Sequence, residues 1–96
     1  MPEARPRRPA AIERTPKFQR RVKKLPRAQQ GAPARALRMF MVNAHDPRLG
    51  THKLSRDSPM KGCWAFGFGY DARVVFEWDS DTAVLLNVGT HAEVYG

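Results

Sequence analysis

From Trp64 to Tyr70 every second residue is aromatic: Trp64, Phe66, Phe68 and Tyr70. A period of two puts all four rings on one face of a strand. Gly67 and Gly69 fall on the opposite face and leave room there. The segment Arg73 to Trp78 repeats the alternation with Val74, Phe76 and Trp78. Between the two lies Tyr70-Asp71-Ala72, a tight hairpin connection. Asp79-Ser80-Asp81 makes a second turn, and a third strand follows from Ala83 to Val88. Turns this short cannot carry a crossover, so the three strands must run antiparallel.

Before the strands the period is helical. Thr15 is a hydroxyl N-cap and Pro16 occupies the first helical position. Phe18, Val22 and Leu25 recur at i, i+4 and i+7 and form one apolar stripe. Lys17, Arg20, Arg21, Lys23 and Lys24 make the opposite face basic, and Pro26 ends the helix. A second helix is predicted from Ala34 to Ala44, with Leu37, Phe40, Met41 and Ala44 inward, stopped by Asp46-Pro47. Residues 10–15 form a weak candidate for a first strand. Helices first and strands after imply an α+β fold, an N-terminal helical hairpin packed on one face of a twisted antiparallel sheet. The other face is then free to bind something.

With 96 residues there is room for one small domain. Residues 1–9, rich in Pro and Arg, read as a disordered basic arm, and residues 10–96 as the domain. The net charge of +8 is uneven. Residues 1–38 carry twelve Lys/Arg against Glu3 and Glu13, a charge of +10, and the remainder carries −2. Such a half suits a polyanionic partner, either nucleic acid or an acidic protein segment. Cys63 is the sole cysteine, which excludes an intrachain disulfide and a cysteine metal cluster. That composition fits a reducing cytoplasm, and no apolar run reaches the length of a membrane span.

Candidate chemistry falls in three segments: Thr51-His52-Lys53-Leu54, Tyr70-Asp71-Ala72-Arg73, and Val88-Gly89-Thr90-His91-Ala92-Glu93-Val94-Tyr95. Each has a plain structural reading. A lone histidine is ordinarily a surface or hydrogen-bonded residue, an aspartate in a hairpin serves the turn, an arginine at a strand start is solvated, and a terminal tyrosine packs. Two histidines and one aspartate without local ligand spacing are weak grounds for a metal site, and no cofactor is expected.

Taken in order, LGTHKL, KGCWAFGFGYDARVVFEW and LLNVGTHAEVY resemble the RelE/StbE family of mRNA-cleaving toxins, and within it the YafQ-like branch. The likeness covers roughly residues 12–96, and THKL, YDxRVVF and GTHxEVY carry it. It implies the same helix-on-sheet fold. It also implies a cytoplasmic endoribonuclease acting on mRNA, usually on the ribosome, and a cognate antitoxin that wraps the toxin and through which the complex can hold operator DNA. Position by position, His52 and His91 match histidines at the scissile phosphate, and Asp71 matches the hairpin aspartate. Arg73 matches a phosphate-binding arginine and Tyr95 a terminal aromatic residue. Lys53 would add a second cation on the RNA. Three features depart from the pattern: Gly67 stands where YafQ-like toxins carry a further histidine four residues before the hairpin aspartate, the loop from Ser55 to Lys61 is longer by about two residues, and the helix-to-helix loop is abrupt, with Pro26 shortening the first helix.

The chemistry suits these types. Metal-free RNA cleavage needs a base for the ribose 2′-OH, an acid for the departing 5′-oxygen and a cation for the phosphorane charge. Imidazole serves either proton-transfer role, and a guanidinium is a fixed, always charged phosphate ligand. Two other readings use the same fold: a gyrase-inhibiting toxin of the ParE type, which generally lacks the histidine pair, and a catalytically decayed RNA-binding member.

Overall fold

The computed structural model describes residues 7–27, 30–54, 62–68 and 71–95, with the side chain of Tyr95 outside the described set. Strand β1 (Ala11–Arg14) leads into helix α1 (Pro16–Lys23) and helix α2 (Ala32–Val42). A 3-10 turn (Pro47–Leu49) and a two-residue strand β2 (His52–Lys53) follow. Strands β3 (Trp64–Phe68), β4 (Ala72–Asp79) and β5 (Thr82–Thr90) form the meander, and a short helix α3 (His91–Tyr95) ends the chain. The sheet order is β1-β5-β4-β3-β2.

The three predicted strands pair antiparallel, β3 with β4 and β4 with β5. The weak strand at residues 10–15 forms as β1, but it runs parallel to β5, so the sheet is mixed rather than antiparallel throughout. Parallel pairing is open to β1 because α1, α2 and the meander separate it from β5 in sequence, the long crossover that parallel neighbours require. Tyr70 and Gly69, in the predicted hairpin, and the loop from Ser55 to Lys61 lie outside the described residues.

Both long helices lie on one face, as the period change implies. Thr15 caps α1, its hydroxyl oxygen accepting from the Phe18 amide at 3.2 Å while it donates to the Leu85 carbonyl at 2.8 Å. The cap thus also ties α1 to the edge of β5. Phe18, Leu37 and Phe40 are buried against Phe66, Phe76, Leu85 and Val88. Phe40 pins α2 to the centre of the sheet: its ring stacks on Phe66 at 4.8 Å and meets Phe76 edge-on at 4.9 Å.

Strand β5 changes parity midway. Val75 pairs with Asn87 but Phe76 with Leu85, so Leu86 is an extra residue in a bulge. Ala83 and Leu85 face the helices before it, and Val88 faces them after it. The opposite face is not bare. Val94 of α3 packs with Ala65 and Val75 there, joined by Leu54, Cys63 and Leu86. Cross-strand partners share a face, so Ala65, Gly67, Arg73 and Val75 all belong to this helix-poor side.

Arg7, in the segment read from sequence as the arm, is held by the domain. Its amide donates to the Asn43 side chain and its carbonyl accepts from the Ala44 amide. Its guanidinium lies 3.6 Å from the centre of the Trp78 ring. Residues 1–6 lie outside the described residues. No helix among the described residues is long and apolar enough to cross a membrane.

Candidate functional site

The site forms at the end of the sheet where β3 finishes, β4 begins and β5 runs into α3. Ala72 pairs with Thr90 and Arg73 with Gly89, which sets the second motif beside the third. The His91 amide donates to the Asp71 carbonyl at 3.0 Å and closes the junction. The side chains of Asp71 and His91 are both exposed.

A capping box starts α3. The Thr90 amide donates to Glu93 Oε1 at 2.8 Å, and the Glu93 amide donates to Thr90 Oγ1 at 3.2 Å. Arg21 of α1 adds an ion pair to Glu93 at 3.5 Å and donates to the Val88 carbonyl. The amide and hydroxyl of Thr90, with the charge of Arg21, hold the Glu93 carboxyl below its usual range. This clasp fixes the helix that begins with His91.

His52 arrives from the other side. Its strand, β2, pairs with β3 only at Ala65 and Trp64, so beyond Ala65 the outer edge of β3 is open. The 3-10 turn sits along that opening. Gly50 ends the turn with φ of 60°, a left-handed value that suits glycine. Its carbonyl takes a 2.9 Å hydrogen bond from His52 Nδ1. A carbonyl only accepts, so Nδ1 carries the proton, and Nε2 is the ring nitrogen left for proton transfer.

Arg73 lies flat across β3. Its Nη1 donates to the Ala72 carbonyl at 2.9 Å. The same nitrogen is 3.0 Å from the point where a Cβ on residue 67 would stand. Gly67 is therefore the space in which the guanidinium rests. A side chain at residue 67, where the sequence resemblance leads to the expectation of a histidine, would take that space.

His52 and Arg73 line a single hollow of about 340 Å³, with Pro47, Arg48, Leu49, Gly50, Gly67 and Phe68 as the other described lining residues. Lys53 does not reach it: it pairs with Trp64, which packs with the helix-side cluster, so it alternates away from His52. Tyr95 ends α3, and its side chain lies outside the described set. His45, outside the motifs, packs edge-on against Trp64 at 5.7 Å. Among the described residues no group of three or more His, Cys, Asp or Glu is gathered that could hold a metal ion.

Sequence reasoning missed Arg48. Its Nε and Nη2 donate to the two Asp46 oxygens at 3.0 and 2.7 Å, and its amide donates to Oδ1 as well. The Arg48 guanidinium and amide hold the Asp46 carboxyl down at about 2, so the pair stays ionised at any working pH. The Asp46-Pro47-Arg48 turn was the available signal: an Asx-type stop followed at i+2 by a residue able to reach back to it.

No protein-family model matches the chain, and no curated protein matches it. Solved structures do. The crystal structure of YafQ from E. coli strain BL21(DE3) superposes with a TM-score of 0.66 at 19% identity, over 88% of this chain and 97% of that one. The solution structure of HP0894 from Helicobacter pylori gives 0.68 at 19% identity, over 88% and 98%. A chain of the toxin–antitoxin complex RelBE2 from Mycobacterium tuberculosis gives 0.60 at 22% identity, over 86% and 99%. Nearly the whole length of each neighbour is matched, and over that span the chain has the fold of the YafQ and RelE-type toxins.

Proposed function

We propose that the chain is the toxin of a type II toxin–antitoxin pair, an endoribonuclease that cuts mRNA on the ribosome without a metal. The observation that carries this reading is that His52 and Arg73 line one hollow, and that the strand carrying Arg73 starts at the Asp71–His91 junction. These residues are far apart in sequence and of the types that phosphoryl transfer requires.

In this reading the scissile phosphate sits against Arg73. A histidine takes the proton of the 2′-OH, the 2′-oxygen bonds to phosphorus, and the bond to the 5′-oxygen breaks. The second histidine gives that oxygen its proton, leaving a cyclic phosphate and a free 5′-hydroxyl. His52, through Nε2, and His91 share the two roles. Asp71 orients, and Tyr95 stacks on a base. Positioned acid and base are each worth ~10²–10⁴-fold, and Arg73 offsets the charge that develops on the phosphorane.

The partner is a cognate antitoxin, acidic and partly disordered, matching the basic face of α1; RelBE2 is a solved toxin–antitoxin complex. Through it the pair would hold operator DNA, and both act in the cytoplasm. Expression of the chain in bacteria with mapping of mRNA 5′ ends tests the reading. New ends within coding regions, suppressed by the product of a neighbouring gene, are expected. Soluble, folded chain that makes no new ends would overturn it, and growth arrest with inhibition of gyrase in that case would assign it to the ParE type.

A further inference from the structure

The hollow that holds His52 and Arg73 does not end at Gly67. A second hollow of about 230 Å³ adjoins it beneath α2. The two share Arg48, Leu49, Gly67 and Phe68 as lining. The second differs in character. Its floor is apolar, with Ala36, Met39, Leu49 and Phe68, and Arg35 and Arg48 stand as cations in its lining. Arg35 is exposed on the first turns of α2, and Arg48 is held in a set direction by Asp46 while its side chain stays 73% exposed.

We infer that this second hollow is a nucleotide subsite, taking the residue of a single RNA strand next to the one at Arg73, with its base on the apolar floor and its phosphate between Arg35 and Arg48. The inference rests on the RNA-cleaving reading for its direction, since it is continuity with His52 and Arg73 that makes the occupant a nucleotide. Base faces are apolar and stack on arginine planes, while phosphates seek guanidinium groups. A floor without hydrogen-bonding side chains reads no base edge, so the subsite sets strand path rather than sequence. An acidic peptide could satisfy the two arginines, but it has no planar apolar group to lay on the floor beside each anion.

The test uses fluorescently labelled 2′-O-methyl RNA, which cannot be cut, so binding is read without activity. A dinucleotide and a tetranucleotide are titrated against the full chain and against Arg35→Ala, with thermal melting as the check on folding. The tetranucleotide should bind the wild type more tightly. Arg35→Ala should weaken the tetranucleotide about tenfold, the loss expected of one charge-assisted contact, and leave the dinucleotide unchanged. The slope of log affinity against log salt should fall by roughly 0.7, one phosphate of a single strand. Equal effects on both lengths, no effect on either, no binding by the wild type, or displacement by polyglutamate as readily as by RNA would each overturn the subsite. Should the wild type bind as described yet cut no mRNA, the subsite stands and the nuclease reading falls. Cleavage with no length dependence gives the reverse.

Discussion

Arg73 has somewhere to lie only because residue 67 has no side chain. Its Nη1 lies 3.0 Å from where a Cβ would stand, so even alanine at that position makes the guanidinium give by a few tenths of an ångström. The obstruction is the far end of a flexible side chain, so the fold should tolerate the change. Gly67→Ala is expected to leave the melting transition within about 1 kcal/mol of wild type, the usual range for a substitution without a cavity or a buried polar group. It should lower cleavage by about tenfold or more, because a displaced phosphate ligand misplaces the reacting atoms. Arg73→Ala should weaken both cleavage and binding of uncleavable RNA, as a ligand that serves ground and transition states alike. Wild-type cleavage by Gly67→Ala would show that the observed resting place of Arg73 has no part in the chemistry.

At the scale of elements, two devices hold the site. Helix α2 is seated by Phe40, which is fully buried among Phe66, Phe76 and Trp78. Phe40→Ala should cost about 3–5 kcal/mol in denaturant unfolding, the range for truncating a core aromatic residue. Helix α3 is seated by Glu93, whose titration dictates how the clasp responds to acid. Unfolded, this carboxyl titrates near 4.5, and folded it titrates lower. The clasp is therefore complete above pH 4.5 and is lost as pH falls through the lower folded value. The protection factors of the Thr90 and Glu93 amides, corrected for the intrinsic pH dependence of exchange, should fall in that acid window in the wild type, and Glu93→Gln should remove this change.

The same elements show what the sequence made legible. Strands β3 and β4 announced themselves because one face packs under the two long helices while the other meets only the short α3 and small or polar residues, which enforces alternation. Helices α1 and α2 each carried an apolar stripe, and α1 a hydroxyl cap at Thr15 as well. Strand β1 was faint because its four residues form an edge with little burial. Strand β2, with two residues, and α3, with five, are too short for any period to register. The bulge at Leu86 was hidden because a parity change in an apolar run leaves no gap in the pattern. Of the site, the residue types were visible locally. That His52 and Arg73 line one hollow was not, since nothing local ties residue 52 to residue 73. Arg48 escaped because its turn looked like a helix stop and nothing more.

Across the whole molecule charge and chemistry are kept apart in sequence and joined in space. The basic segment supplies Arg21, which steadies α3, and Arg35, which rims the second hollow. The C-terminal half supplies the histidines and Arg73. Association with an acidic antitoxin should therefore weaken as salt rises, mostly through a slower on-rate, which stopped-flow measurement at two ionic strengths will read. The most direct test of the account is single-turnover cleavage of mRNA on programmed ribosomes, with free RNA beside it, for the wild type, His91→Ala and the control His45→Ala. The account predicts cleavage by the wild type, a loss of about 10²-fold or more in His91→Ala with RNA binding nearly intact, and little change in His45→Ala. Cleavage by His91→Ala at the wild-type rate would contradict it.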